Sequence, residues 1–355
     1  MNPCRTASPA GEGHVEQSSR VGKYELEEFL GGGMSQVYRA RDTVLGRRVA
    51  LKILTPEGTA DVESKARFLL EARTASNITH ENIISVYDFG EDRGRPFIVM
   101  ELLEGESLRE ALRDGSAGDF KRRMRIALQV ARAVDFIHTK KIIHRDIKPE
   151  NIHVDPAGKV KLMDFGIAKA EGASFTRAGF TLGTPYYMAP EQVLGQPLTP
   201  QADVYSFGVL LFELLTGTRA VSGDVVENIF NQILYEPVNL APIQALRLSP
   251  GVAELIEHCT AKQPAQRPEG LASVCDAIEQ ILDPPNTGKP QRRVPVKPPA
   301  APRERPEAAG AAESPKFLDN LPPPLRTEAG LMLIAGLFTV VGVMLVYALV
   351  MRAIH

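Results

Sequence analysis

Cysteine is scarce in this chain: three occur among 355 residues, Cys4, Cys259 and Cys275. Their spacing fits no metal-binding pattern, and they are too few and too scattered for a disulfide framework, so the folded part suits a reducing compartment. A charge excess of either sign is missing too. With 41 basic against 43 acidic residues the formal net charge is −2, which gives no overall electrostatic case for nucleic acid as a partner. The first twenty residues carry Pro, Gly, Ser and charges but lack the apolar core of a signal peptide, so the N-terminus is expected to stay in the cytosol. What is present is a globular composition, 44% apolar and 24% charged, long enough to bury a sizeable core.

Four segments and a short tail separate by composition. Residues 1–20 are small and polar and read as a disordered segment. Residues 21–282 are dense in periodic apolar positions and hold every chemical motif. Residues 283–328 are rich in proline and carry basic residues from Lys289 to Arg305, the composition of an extended, solvated linker. Residues 329–351 run without a charge, and residues 352–355 form a tail. As a helix the uncharged run would be ~35 Å long against a hydrocarbon core of ~30 Å, so it reads as a transmembrane helix in contact with the lipid bilayer. Lys316, Arg326 and Arg352 flank it and favour a cytoplasmic N-terminal side. Ala335, Thr339 and Gly342 fall on one face, either as plain lipid-facing composition or as a small-residue stripe that would let two such helices pack into a homodimer.

Within 21–282 the period changes along the chain. Tyr24–Leu30, Gln36–Ala40, Arg48–Leu54, Ile83–Tyr87 and Phe97–Glu101 are short β-leaning runs between Gly, Asp and Asn turns. One helical stretch, roughly Asp61–Ser76, interrupts them. From Ser107 onward the helical period dominates, as in Met124–His138, Asp203–Thr216 and Gly251–Cys259. The expectation is an α+β, bilobal arrangement: a small β-rich lobe with one helix, then a larger helical lobe, with the chemistry in the cleft between.

Residues 144–151 read HRDIKPEN, and Asp164-Phe165-Gly166 follows at a short distance. An acid able to accept a hydroxyl proton (Asp146) precedes an amide able to hold a metal (Asn151) by five positions, and a second carboxylate for metal (Asp164) lies on the next strand. Phosphoryl transfer needs such parts, because its charge-spread transition state must be positioned and neutralised. Upstream, Leu30-Gly31-Gly32-Gly33-Met34-Ser35-Gln36-Val37 forms a glycine turn whose backbone N–H groups can approach phosphates closely. Phosphate contact is assigned to Gly31, Gly32 and Gly33. In Val49-Ala50-Leu51-Lys52 the alternation of a strand puts Ala50 and Lys52 on one face, an ammonium beside a small apolar surface.

On these motifs the segment from Tyr24 to about Leu282 resembles the catalytic domain of eukaryotic-like (Hanks-type) serine/threonine protein kinases, especially bacterial membrane-anchored ones. The resemblance implies a bilobal kinase fold and transfer of the γ-phosphate of ATP, with Mg2+ (or Mn2+), to Ser/Thr hydroxyls of protein substrates. It implies that Lys52 holds the α/β-phosphates and Glu71 fixes it. Val37 and Ala50 would cover adenine, with Leu30 beside them, Met100 as gatekeeper, and Glu101, Leu102 and Leu103 supplying hinge contacts. Asp146 would orient the hydroxyl, Lys148 would neutralise the transferring phosphate, and Asn151 and Asp164 would bind metal. Lysine at 148 favours Ser/Thr over Tyr.

The glycine turn departs from the family's G-x-G-x-x-G-x-V, since Leu30 and Ser35 take the first and last glycine positions. His153 stands where the family usually places Leu or Met beneath adenine, either as an imidazole that simply packs there or as a titratable floor, in which case ATP affinity would fall as it protonates below its ordinary pKa of ~6.5. Between Asp164 and Ala189-Pro190-Glu191 lie Thr176 and Thr181, candidate phosphosites with Ser174 behind them, and Thr184, which resembles the residue shaping the substrate pocket. Arg145 would pair with the phosphate on that loop. Asp203 and Arg267 match scaffold positions, Arg267 as partner of Glu191. The expected protein is therefore a signalling enzyme of the bacterial inner membrane, single-pass with its kinase domain cytoplasmic. The competing reading is a pseudokinase scaffold, whose mark would be loss of Lys52, Asp146, Asn151 or Asp164; all four are present.

Overall fold

Alternation in the first third of the chain builds a sheet, and the helical period after it builds a bundle. The computed structural model describes residues 20–164 and 185–284. The first lobe holds β1 (Arg20–Val21), β2 (Tyr24–Gly32), β3 (Ser35–Asp42), β4 (Arg48–Leu54), α1 (Pro56–Ala60), α2 (Val62–Ser76), β5 (Val86–Asp92) and β6 (Arg95–Met100). The sheet is antiparallel in the order β1-β2-β3-β4-β6-β5. One face packs around Tyr24, Val49, Leu51, Phe97 and Val99, and α2 closes the other by setting Phe68 and Ala72 against Leu54 and Ile98. Asp61 starts α2 as its N-cap, accepting hydrogen bonds from Glu63 N and Ser64 N.

The second lobe begins with β7 (Glu106–Ser107) and α3 (Leu108–Asp114), started by a Ser107/Glu110 capping box and ended by Gly115 at φ 85°. Then come α4 (Phe120–Thr139), β8 (Ile152–Val154), β9 (Val160–Leu162), α5 (Pro190–Val193), α6 (Gln201–Thr216), α7 (Val226–Tyr235), α8 (Ala241–Ala245), α9 (Pro250–Cys259) and α10 (Leu271–Leu282). α4 buries Met124, Ala127, Val130, Ala131, Val134 and Ile137 at helical spacing. α6 is buried on every side from Ala202 to Leu215, as its nearly uninterrupted apolar sequence dictates. Gly208 lets it approach α9 closely: a Cβ there would lie 2.6 Å from Cys259 Cβ. Both Cys259 and Cys275 are buried free thiols, pushed up to about 12 by burial.

The expected small β-rich lobe followed by a larger helical lobe is present, with two local corrections. The first lobe carries two helices rather than one, because Pro56 follows the capping Thr55 and turns the chain into the short α1. The run expected as a strand over Ile83–Tyr87 starts only at Val86, since Ile83 is drawn into a parallel bridge with Leu162 of the other lobe. Among the described residues no helix is long and apolar enough to cross a membrane. The expected span at 329–351, the linker from 285 on, and Phe165, Gly166, Ser174, Thr176, Thr181 and Thr184 lie outside the described residues.

Candidate active site

The lobes meet at a cleft of about 440 Å3. Its roof is Leu30, Gly31, Gly32 and Val37 with Ala50 of β4, and its rear holds Ile84, Val86, Ile98 and Met100. Glu101, Leu102 and Leu103 form the connecting edge, while Glu150, His153, Met163 and Asp164 form the floor. Ala50 and Lys52 face the cleft together, as alternation requires, paired across the sheet with Met100 and Ile98. Of the three glycines expected at phosphate, Gly31 (φ 140°) and Gly32 (φ 146°) line the cleft. Gly33 is not among the lining residues, and its N–H donates to Ser35 O at 2.9 Å, which closes the turn on itself.

Lys52 sits between two carboxylates. Its Nζ donates to Glu71 Oε1 at 3.1 Å and to Asp164 Oδ1 at 2.6 Å. Burial works against the ammonium, but the charges of Asp164 and Glu71 outweigh it and hold Lys52 above its ordinary range. Lys52's charge in turn keeps Asp164 below the usual carboxylate range. One ammonium cannot satisfy two carboxylates equally. Burial, helped by the negative Asp164, lifts Glu71 to about 7 despite Lys52. Asp164 holds this place with φ 47°, a left-handed backbone that costs a non-glycine residue about 1–2 kcal/mol.

Beneath lies the loop 144–151. Asp146 Oδ2 accepts hydrogen bonds from Lys148 Nζ at 2.9 Å and Asn151 Nδ2 at 3.0 Å, and Asn151 Nδ2 also donates to Asp146 O at 2.9 Å. Asp146, Lys148 and Asn151 thus converge as their spacing suggested. The buried His144 accepts from Asp146 N through Nδ1 (3.3 Å), so Nε2 carries the proton toward Met163 O at 3.2 Å. Burial holds its pKa below the ordinary value, which keeps the ring neutral. The turn at Arg145 (φ 66°) is braced from α6 by Asp203, whose carboxylate accepts from His144 N, Arg145 N and His138 Nε2 at 2.7, 2.8 and 2.7 Å. His153 lines the floor and its Nε2 lies 3.1 Å from Glu104 O.

Glu101 turns its carboxylate away from the connecting edge, accepting from Ser85 N and Lys161 Nζ at 2.7 Å each, and so ties that edge to β9. Arg267 donates to both oxygens of Glu191 at 2.6 and 2.9 Å, the pairing expected from the sequence. A second, part-buried network was not foreseen. Arg109 of α3 donates to Glu150 Oε1 at 2.8 Å, to Glu213 Oε1 at 2.6 Å and to Tyr187, which itself donates to Glu213. Burial and the charge of Glu213 raise the Tyr187 pKa far above its ordinary value, so the phenol stays protonated as a donor. These four residues come from four separate elements, and no local pattern in the chain marks them as partners.

A family model described as the protein kinase domain matches residues 24–283. Among curated relatives, the serine/threonine-protein kinase PknA of Mycobacterium tuberculosis is 36% identical, with 94% of this chain and 82% of the relative covered. The serine/threonine-protein kinase PrkC of Bacillus subtilis is 38% identical over 74% of this chain and 41% of its own length. The serine/threonine-protein kinase pkn3 of Myxococcus xanthus is 40% identical over 69% and 47%.

Proposed function

We propose a catalytic route on the plain premise that this chain belongs to the protein kinase family, matched from residue 24 to 283. It is a serine/threonine protein kinase, similar along most of its length to proteins of that name. One observation supports the assignment of roles: Lys52, Glu71 and Asp164 cluster in a cleft with an apolar roof, and the loop holding Asp146, Lys148 and Asn151 is tied to its floor by Met163 N, which donates to Asn151 O at 2.8 Å. Val37 and Ala50 cover the adenine of ATP, Met100 limits the rear, and Leu30, Leu103 and the Glu101 edge complete its enclosure. Gly31 and Gly32 approach the phosphates, and Lys52, held by Glu71, orients them.

The residues fit a divalent cation with hard oxygen ligands. Asp164 offers a carboxylate, and Asn151 spends its Nδ2 on Asp146, which leaves Oδ1 as its donor atom for metal. Such a donor pair suits Mg2+ (or Mn2+), which is held by one or two protein side chains together with substrate phosphates. When bound, the cation offsets the charge that builds on the phosphate oxygens. Asp146 orients the Ser or Thr hydroxyl and accepts its proton as the new O–P bond forms and the bond to the β-phosphate oxygen breaks. Lys148, 2.9 Å from Asp146, neutralises the group in transit.

Thr176 or Thr181 is the autophosphorylation site, with Arg145 as phosphate partner, and Thr184 shapes the acceptor pocket. The uncharged run at 329–351 anchors the enzyme in the cell membrane, with the kinase domain on the cytoplasmic side and helix pairing through Ala335, Thr339 and Gly342. Its length and composition support this. The test is incubation of the full chain in detergent with labelled ATP, Mg2+ and a generic basic protein, beside Asp146→Asn. Label on Ser and Thr from the wild type alone is expected. Equal incorporation by both proteins would show that the assigned acid is wrong. Mass spectrometry of active enzyme with no phosphate on residues 165–184 would remove Thr176 and Thr181.

A further inference from the structure

A turn of three glycines has no side chains to fix its height, yet the phosphate-binding role proposed above requires a defined one. Leu30 and Met34 beside it are 44% and 62% exposed, and Phe29, 55% exposed, only meets Tyr38 of β3 edge to face, so they bury little of the turn. The β2–β3 ladder also slips between Phe29 and Gly31. Within the turn the tip is held by Gly31 and Gly32 pairing with β3 and by Gly33 N on Ser35 O, and a further hold comes from outside it. The β3–β4 pairing ends at Ser35↔Leu54, and one rung beyond it Thr55 N donates to Met34 O at 3.1 Å.

Thr55 is itself fixed from the other side. Its Oγ1 accepts from Gly58 N at 3.1 Å as the N-cap of α1, and its carbonyl accepts from Thr59 N and Thr59 Oγ1 at 2.8 Å each. Gly58 is the residue of α1 that lies against the turn. A Cβ there would come within 3.1 Å of Met34 O and 2.9 Å of Leu54 Cδ1, tighter than ordinary packing allows. Glycine at 58 therefore lets α1 seat beside the tip. Neither Thr55 nor Gly58 lines the cleft.

We propose that the Thr55 N–H and Gly58 are positioning elements: through Met34 O they clip the glycine turn to α1 and set its height over the phosphates of ATP. The inference rests on reading that turn as the phosphate site. Physically, the clip removes beforehand the backbone freedom that three glycines would otherwise lose on binding, so its benefit appears only with a ligand that reaches the turn. A ligand without phosphates gains nothing from it.

The backbone at Thr55 allows a selective test. Its φ of −64° is that of proline, and Leu54 before it is in extended strand, so Thr55→Pro deletes the N–H without forcing a new conformation. Thr55→Ala keeps the N–H and loses only the Oγ1 cap, and is the reference for the proline variant. In the full chain, dissociation constants for Mg·ATP and for adenosine are measured by calorimetry. Thr55→Pro is expected to weaken Mg·ATP about fivefold relative to Thr55→Ala, the effect of one hydrogen bond, with adenosine changed less than about twofold. Gly58→Ala should weaken Mg·ATP in the same selective way, and carries the test alone if the proline variant does not fold. Equal Mg·ATP binding by Thr55→Pro and Thr55→Ala, or adenosine weakening in parallel with ATP, would overturn the clip. Wild-type protein that binds adenosine but gains nothing from the phosphates would instead strike down the reading of the turn itself.

Discussion

Asp203 offers the sharpest link between a buried charge and the proposed chemistry. It is fully buried on α6, and its carboxylate is the acceptor for the peptide N–H groups of His144 and Arg145 and for His138 Nε2. Those two peptides form the turn that presents Asp146, and Arg145 within it sits at φ 66°. In Asp203→Asn one oxygen still accepts, but the amide nitrogen is a donor and faces a donor. Loss of a charge-assisted bond and exposure of a buried N–H to that repulsion is worth about 2–4 kcal/mol. Asp203→Ala removes the acceptor for both peptides and the left-handed turn loses its brace, which raises the loss to about 3–6 kcal/mol. Against a usual domain stability of about 5–15 kcal/mol either is measurable. The chain has no tryptophan, so urea unfolding is best followed by far-UV circular dichroism. The functional signature is a split. With Asp203→Asn, kcat should fall at least about tenfold because Asp146 loses its position, while the Mg·ATP dissociation constant moves less than about threefold, since Lys52 and the roof are held by other elements. Full kcat in Asp203→Asn, or a loss under about 1 kcal/mol in Asp203→Ala, would refute the argument.

Other consequences can be checked alongside. Arg267→Met strands the carboxylate of Glu191, whose side chain is 5% exposed, and removes the donor to Ala261 O, Lys262 O and Gln201 O; a loss of about 3–5 kcal/mol in chemical unfolding is expected, most of it recovered by Glu191→Met in the same chain. Glu71, lifted to about 7, binds its proton more tightly folded than unfolded, so its contribution is fully present below about pH 4.5 and is lost as pH rises through 7; the stability difference between wild type and Glu71→Gln should change by up to about 3 kcal/mol across that window, and a flat difference curve between pH 5 and 8 would exclude the assignment. Lys262, whose Nζ donates to Gln232 O and Ile233 O at the end of α7, is brought down to about 8 by burial and then by Arg267. Its charge therefore costs stability below pH 8, and that cost is relieved as pH rises from 8 toward 10.5, a slope that Lys262→Met should abolish in thermal unfolding against pH.

What could be read in the chain follows from how far apart the cooperating residues are. Asp146, Lys148 and Asn151 are legible because one tight loop must set them within hydrogen-bond reach, and such a loop is short in sequence. Ala50 and Lys52 are legible because alternation on a strand fixes their common face. The Arg109 network joins positions 109, 150, 187 and 213, and neither helical nor strand period relates them. Ile83 shows a different limit. Its β-leaning run was visible, but its bridge to Leu162 belongs to the other lobe, and tertiary contact overrode local propensity. Gly33 looked equivalent to Gly31 and Gly32, and only the backbone path, with Gly33 N turned to Ser35 O, separates them.

Glu71 stands between these extremes. Along α2 the apolar face is Phe68, Ala72 and Ala75, at steps of four and three. Glu71 falls one step along the helix from Ala72 and a three- or four-residue step from Phe68 and Ala75, so the period places a carboxylate on the edge of a buried stripe. Such a placement costs free energy unless a cation meets it. In the structure that cation is Lys52, which the strand period of β4 turns into the same cleft, whereas from the sequence the pairing with Glu71 is what the family resemblance implies. The two local patterns, neither sufficient alone, intersect at Lys52 and Glu71. What they leave open is the third member. Asp164 reaches Lys52 from the other lobe, and its arrival changes the pair from a balanced ion pair into one ammonium shared by two carboxylates, which adds to the burial that lifts Glu71 to about 7.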